Sequence, residues 1–376
     1  MTSVETLLPR LRAATGRMVD DLAALVGCES PSDDLAATAA CADVLTKLTA
    51  DLFPSAPEVI ERGGRKHLCW RGGGPTKVLI VGHLDTVWPL GTLARWPFTV
   101  DRDRATGPGI FDMKTGLVQT FHALSTLDDL TGVTVLVTSD EELGSPSSRS
   151  LIEEEAAGAR AAFVTEASAG GALKIVRKGV SLYRVVVRGH AAHAGLEPER
   201  GINATVELAH QILAASAIAD PEQGTTVTPT VCRGGVTTNT VPERAELTCD
   251  VRAATPAEQA RVDAAFHALR PTQPGARVEV EGGPNRPPLD ASSSAALFAA
   301  AQRLADGIGI GPIDGVAVGG ASDGNFTAGV GIPTLDGLGA VGDLAHAEGE
   351  WVSIAAMPER AALLAALVAA VQAGEA

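Results

Sequence analysis

The chain reads as an α/β protein: a mostly parallel sheet flanked by helices, interrupted by an inserted α+β unit. Three observations predict this. Runs of β-branched and aliphatic residues near 77–82, 133–139 and 161–165 alternate with helical segments, the pattern of a parallel sheet covered on both faces. From about Lys178 the strands become mixed or alternating in polarity. After the proline-rich join Pro284-Asn285-Arg286-Pro287-Pro288 the first style returns.

Taken in order, 5–27 and 33–50 read as amphipathic helices. The strand at 77–82 ends on a glycine and delivers His83. Lys114 to Leu127 and Ser147 to Ala157 are the helices between the next strands. In the middle unit, Ser181 to Arg188, Thr225 to Cys232, Ala245 to Arg252 and Arg277 to Glu281 read as strands. Ala245 to Arg252 alternates, with Leu247, Cys249 and Val251 on one face and Glu246, Thr248, Asp250 and Arg252 on the other, so one face is buried and one is wet. Gly201 to Ser216 and Pro256 to Leu269 are its helices. Beyond the join come a helix over 292–305, short apolar segments at 316–318 and 332–335, and a closing helix over 354–373. The expected organisation is therefore a first domain made of 1–178 and 289–376, with 179–288 inserted into it.

The formal charge of -15 disfavours nucleic acid and anionic membrane, which need concentrated positive charge. Five cysteines, an odd number with no C-x-x-C pair, argue against a disulfide framework and fit reduced thiols. The start, Met1-Thr2-Ser3-Val4-Glu5, lacks the pattern of a secretory signal, and no uninterrupted apolar run reaches spanning length. The expected location is the cytoplasm.

In an open α/β sheet, chemistry sits at the carboxyl ends of strands. The first strand gives His83 and Asp85, and an imidazole backed by a carboxylate is the arrangement of an oriented metal ligand. The glycine-rich segment Gly107-Pro108-Gly109 gives Asp112. The next strands give Asp140-Glu141-Glu142 and Glu166, and the late segment Gly342-Asp343-Leu344-Ala345-His346 gives a second imidazole. Gathered on one edge, these acids would repel unless cations lay among them. Two zinc ions carry +4, which Asp112, Glu142, Glu166 and a bridging hydroxide would balance, leaving Glu141 to move a proton.

The segments around His83, Asp112 and Glu141, with His190-Ala191-Ala192-His193-Ala194-Gly195, resemble the dinuclear-zinc metallopeptidase family of glutamate carboxypeptidase, aminoacylase, acetylornithine deacetylase and succinyl-diaminopimelate desuccinylase. The resemblance covers nearly the whole chain in matching order. It implies that Asp112 bridges two zincs, with His83 and Glu166 completing one site and Glu142 and His346 the other. It implies that Asp85 holds His83 and that Glu141 is the general base. It also implies a cis peptide after Asp112, a lid and dimerisation role for the insert, and an oxyanion-stabilising role for His193 in the site of a second subunit. Asn239, Arg252 and Arg286 lie where relatives bind a substrate carboxylate, and Ser322 falls in a glycine-rich turn that approaches substrate.

The expected activity is hydrolysis of an amide or peptide bond next to a free carboxylate, in a homodimer with two Zn2+ per subunit, or Co2+ or Mn2+ in their place. An N-acyl-amino-acid deacylase or dipeptidase is the alternative on the same fold. From another class, Gly320-Ala321-Ser322-Asp323-Gly324 with Asp343 and His346 matches the order of a serine hydrolase, but His346 is already needed as a ligand. The run Arg71-Gly72-Gly73-Gly74-Pro75 precedes its strand and lacks the lysine-serine ending, so it is a turn and not a phosphate loop. His67, His122, His190, His210 and His267 read as structural.

Overall fold

The computed structural model describes residues 4–376 and divides into two compact units. Of the described residues, one unit comprises 4–176, 289–318 and 322–376; the other comprises 177–288 with 319–321. The insert thus starts two residues ahead of the expected 179, and a distant tripeptide from the glycine-rich turn joins it.

The larger unit is built on a six-stranded sheet. Its strand order is Glu58–Arg62, Arg65–Arg71, Val133–Thr138, Val78–His83, Ala161–Val164, Thr334–Leu335. The last four run parallel. Every residue of Val78–His83, Val133–Thr138 and Ala161–Val164 is buried, which is why these strands read as continuous apolar runs. The antiparallel pair at the edge has no counterpart in the sequence reading. Its signal is Gly63-Gly64, whose positive φ values of 58° and 77° make the two-residue turn of a hairpin.

Helices cover the sheet. The segment read as one helix over 5–27 is two, Val4–Ala13 and Thr15–Val26. The hydroxyl of Thr15 bonds back to the carbonyl of Arg12 at 2.9 Å, an alternative to continuing the helix. Asp34 caps Leu35–Leu48 by accepting from the amides of Ala36 and Ala37. The closing helix Ala356–Ala373 is apolar and 18 residues long, but 72% of it is buried in the protein, so it is a core helix.

A second small sheet of this unit was not legible in the sequence. Its order is Gly342–Asp343, Trp351–Ser353, Arg104–Thr106, Thr99–Asp101. The strand Trp351–Ser353 pairs with both Gly342–Asp343 and Arg104–Thr106. Residues 344–350 are therefore a hairpin loop, held beside the loop that leaves Thr106.

The smaller unit is a four-stranded antiparallel sheet in the order Thr226–Gly234, Arg244–Ala253, Gly179–Arg188, Arg277–Arg286. Helices Ala204–Ser216 and Pro256–His267 pack on one face, where Tyr183 stacks on Phe266 with ring centroids 4.0 Å apart. The opposite face carries ion pairs such as Arg184 with Glu246 and Arg188 with Glu279. The last strand runs on to Arg286, five residues past its expected end. Pro284 is tolerated because this is an edge strand, and the register shifts there.

Candidate dinuclear metal centre

Three parallel strands end side by side and set three parts of one site. Val78–His83 pairs with Val133–Thr138 so that His83 lies opposite Thr138. Two residues beyond Thr138 the chain reaches Asp140-Glu141-Glu142. Val81 lies opposite Val164, and Glu166 follows two residues on. The fourth part, Asp112, sits in a kinked turn over Ile110–Lys114, where Asp112 and Met113 have non-helical backbone angles. Gly109, at φ 70°, begins that turn. A Cβ there would meet Thr86 Cγ2 at 2.4 Å, so the loop can approach the strand end only with glycine. The peptide between Asp112 and Met113 is cis. Buried Lys114 anchors the turn by donating to the carbonyls of Leu25 and Cys28, at 3.1 and 2.7 Å.

The side chains meet around Asp112. Its Oδ1 lies 3.2 Å from His83 Nε2, which in turn lies 3.5 Å from Glu166 Oε1. Its Oδ2 lies 3.3 Å from His346 Nε2, which lies 3.1 Å from Glu142 Oε1. One carboxylate thus faces two imidazoles, each with its own second carboxylate. Ligand atoms of His83, Glu141 and Glu166 also fall within 4.8 Å of one another.

This arrangement fits a pair of divalent ions. Tetrahedral zinc with bonds of about 2.0–2.1 Å has ligand atoms roughly 3.3 Å apart, which is the spacing of the nitrogen–oxygen pairs here. The electrostatics point the same way. Burial alone would lower the pKa of His83, but hydrogen bonds to Asp112, Asp85 and Glu166 hold it well above the ordinary imidazole value. Hydrogen bonds to Asp112 and Glu142 raise His346 to about 10. Burial raises Glu142, and it would raise Asp112 too, but the two imidazoles pull Asp112 down. The clustered carboxylates favour positive charge at this spot.

Asp85 faces His83 Nδ1 with its main chain more closely than with its carboxylate. The nearest acceptor for His83 Nδ1 is the main-chain carbonyl of Asp85, at 2.9 Å; its carboxylate is 3.6 Å away. That fully buried carboxylate instead accepts from the amides of Glu141 and Glu142, at 3.2 and 3.3 Å, and from the Ser32 hydroxyl at 2.7 Å. One residue therefore orients an imidazole and the main chain of two acids.

The Ser322 hydroxyl is fully buried, donates to Asp336 at 2.5 Å and accepts from the amide of Gly324 at 3.1 Å. It shapes the start of the helix Gly324–Gly329. The serine-hydrolase alternative loses its geometry as well, because His346 faces Glu142 and Asp112.

Within the smaller unit, His193 and Asn239 lie together: Ala192–His193 pairs with Thr240–Val241, and the Ala194 amide donates to the Asn239 carbonyl at 2.9 Å. His193 is exposed. Its Nδ1 accepts from the amides of Gly195 and Leu196, both at 3.1 Å, which places the proton of the neutral ring on Nε2. Arg252 is engaged with Asp250 through two bonds of 2.8 and 2.9 Å. Arg286 is buried at the end of its strand. Of the histidines read as structural, His67 bonds Ser147 and His122 bonds Asp21.

Sequence reasoning missed Glu350. Its buried carboxylate accepts four N–H groups, from Gly109, Phe111, Asp112 and the Trp88 indole. Burial pushes it up to about 7. A signal existed in Gly349-Glu350-Trp351, an acid beside an aromatic four residues past His346, but a single acid in a loop is ordinarily solvated.

A model of peptidase family M20/M25/M40 matches residues 79–370. The chain belongs to this family. It is 34% identical over 321 residues to carboxypeptidase G2 of Pseudomonas sp. (strain RS-16), covering 81% of this chain and 76% of that one. Its fold is shared with aminopeptidase PepT of Bacillus cereus, at a TM-score of 0.73 and 22% identity over 95% of this chain and 99% of that one. It is shared too with a Bacillus subtilis protein described as a dinuclear metal binding peptidase of the M20 family, at a TM-score of 0.60 and 16% identity over 95% and 98%. The protein is thus an M20 metallopeptidase, a hydrolase whose family binds two metal ions, and the donors around Asp112 are of that kind.

Proposed function

We propose that this M20 enzyme is a zinc-dependent exopeptidase that cleaves an amide bond next to a free carboxylate, in the manner of a glutamate carboxypeptidase. The observation that carries the reading is the 34% identity to carboxypeptidase G2 over most of both chains. His83 and Glu166 would hold one ion and Glu142 and His346 the other, with Asp112 between them. When bound, such a pair makes a coordinated water acidic near neutral pH and polarises the scissile carbonyl.

The chain's own groups do the rest. Glu141, buried beside the ligands, takes a proton from the attacking water and delivers it to the leaving nitrogen. Its main chain is pinned by Asp85, so the carboxylate returns to the same place in each turnover. His193, with its proton on Nε2, donates to the developing oxyanion in the centre of a second copy, in a homodimer formed through the inserted unit. Asn239, Arg286 and Arg252, the last after exchanging its bond to Asp250, recognise the substrate carboxylate; arginine suits this by its two-pronged geometry.

The test is metal analysis followed by a screen of N-acyl amino acids, N-blocked dipeptides and free dipeptides. Cleavage of N-blocked substrates, lost when the terminal carboxylate is amidated, is the expected result. Turnover of free dipeptides alone would favour the dipeptidase alternative and overturn the carboxypeptidase reading. Hydrolysis of simple N-acyl amino acids of many kinds, with N-blocked dipeptides left uncut, would favour a deacylase. His193→Ala is expected to lower kcat without loss of metal; a drop in zinc content would make His193 a ligand.

A further inference from the structure

Glu350 takes no part in the chemistry described above, yet its carboxylate accepts four hydrogen bonds. It is fully buried. Oε1 accepts from the amides of Phe111 and Asp112 at 2.6 and 2.9 Å. Oε2 accepts from the Gly109 amide at 3.1 Å and from the Trp88 indole at 3.0 Å. Its carbonyl accepts from the Gly107 amide at 3.4 Å. The loop over 107–112 has no strand neighbour of its own for these amides, and buried amides left unpaired are costly.

The place of Glu350 in the chain is equally informative. It is the last residue of the loop 344–350 that carries His346, and it precedes the strand Trp351–Ser353. That strand pairs with Arg104–Thr106, which leads into the Asp112 loop. One side chain therefore joins the backbone beneath Asp112 to the loop that presents His346. These are the two residues whose side chains face each other at 3.3 Å.

We propose that Glu350 is a positioning residue for the metal centre: by gripping the amides from Gly109 to Asp112 it holds the Asp112 carboxylate in register with His346. The proposal rests on the dinuclear reading of the cluster. A carboxylate is required because all four partners are donors. Glutamine would turn an NH2 toward at least one of them, a repulsion in a buried site. Outer partners that fix metal ligands in this way are worth about 10–100-fold in metal affinity.

The experiment uses the whole chain, stripped of metal and titrated with Zn2+ or Co2+. Wild type is expected to bind two ions. Glu350→Gln is expected to bind at least one of them about 10–100-fold more weakly, with an altered visible spectrum of the cobalt form, while circular dichroism stays native. Trp88→Phe removes one donor and leaves the loop amides gripped, so a smaller shift in the same direction is expected. Unchanged affinities and an unchanged cobalt spectrum in Glu350→Gln, with only a lower Tm, would reduce Glu350 to a strut of the fold and overturn the proposal. If Glu350→Gln does not fold, Trp88→Phe decides: wild-type affinities and spectrum there would overturn it. A wild-type stoichiometry below two would instead overturn the dinuclear reading, and the proposal with it.

Discussion

At the scale of single residues, two acids adjacent in sequence are divided by what lies around them. Glu142 Oε1 sits 3.1 Å from His346, among the ligands, while Glu141 belongs to the group formed with His83 and Glu166. Glu141→Gln keeps the size and the main-chain bond to Asp85 but removes the basic oxygen. It is expected to retain both metal ions and to lose about 10²–10⁴-fold in kcat. Metal content measured beside steady-state rates checks both halves, and retained activity would dismiss Glu141 as the base. Ser322 gives the opposite expectation. Because its hydroxyl is bonded to Asp336, Ser322→Ala leaves a buried carboxylate short of a donor and costs about 1–3 kcal/mol of stability. Turnover per folded molecule is expected to stay close to wild type, and a serine-directed phosphonate to have no effect; inactivation by the phosphonate would revive the esterase alternative.

At the scale of elements, what was legible in the sequence follows from how local each signal is. The three central strands announce themselves because both faces are buried, and their ends supply His83, Glu142 and Glu166 in the order in which they are read. The helix Leu35–Leu48 is marked by its capping Asp34. The small sheet that presents His346 and joins it to the Asp112 loop is made of strands of two or three residues. Segments that short have no periodicity, so the bonds that single out Glu350 emerge only in three dimensions. The bonds at Asp85 and Ser322 have the same root: the residue type was informative, but which of its atoms faces the site depends on long-range neighbours. The helix Thr115–Leu124 shows how closely an element can be tied to the site. A Cβ on Gly116 would lie 1.9 Å from the carbonyl oxygen of Thr165, the residue before Glu166. Gly116→Ala must push the helix off that strand end, an overpacking worth about 1–3 kcal/mol or more. A lower Tm together with weaker zinc binding is the expected result. A lower Tm with unchanged zinc affinity would show that the displacement stops short of Glu166.

At the scale of the whole molecule, the large unit is stabilised by its aliphatic core, and polar groups buried beside that core make its stability depend on pH. His67 and His122 are both buried, bonded to Ser147 and Asp21 respectively. In each, burial is the largest influence and holds the imidazole below its ordinary value of 6.5. The folded chain therefore keeps both rings neutral where the unfolded chain has begun to protonate them. Their contribution is fully present above about 6.5 and is lost progressively as the pH falls from there toward the lowered folded values. Stability slopes downward on the acid side because the unfolded state binds more protons. The acids at the metal centre also titrate, so the slope of wild type alone does not isolate these two rings. The comparison that does is His67→Gln against wild type at fixed zinc, with Tm followed from neutral pH to about pH 5, a span that brackets the ordinary imidazole value. The variant is expected to be less stable near neutrality, where the imidazole's bond to Ser147 is lost and only the Asp140 bond to that hydroxyl remains, and to lose less on acidification, so that the two curves converge. Parallel curves would mean that His67 carries the same proton in both states, and that burial does not set its charge.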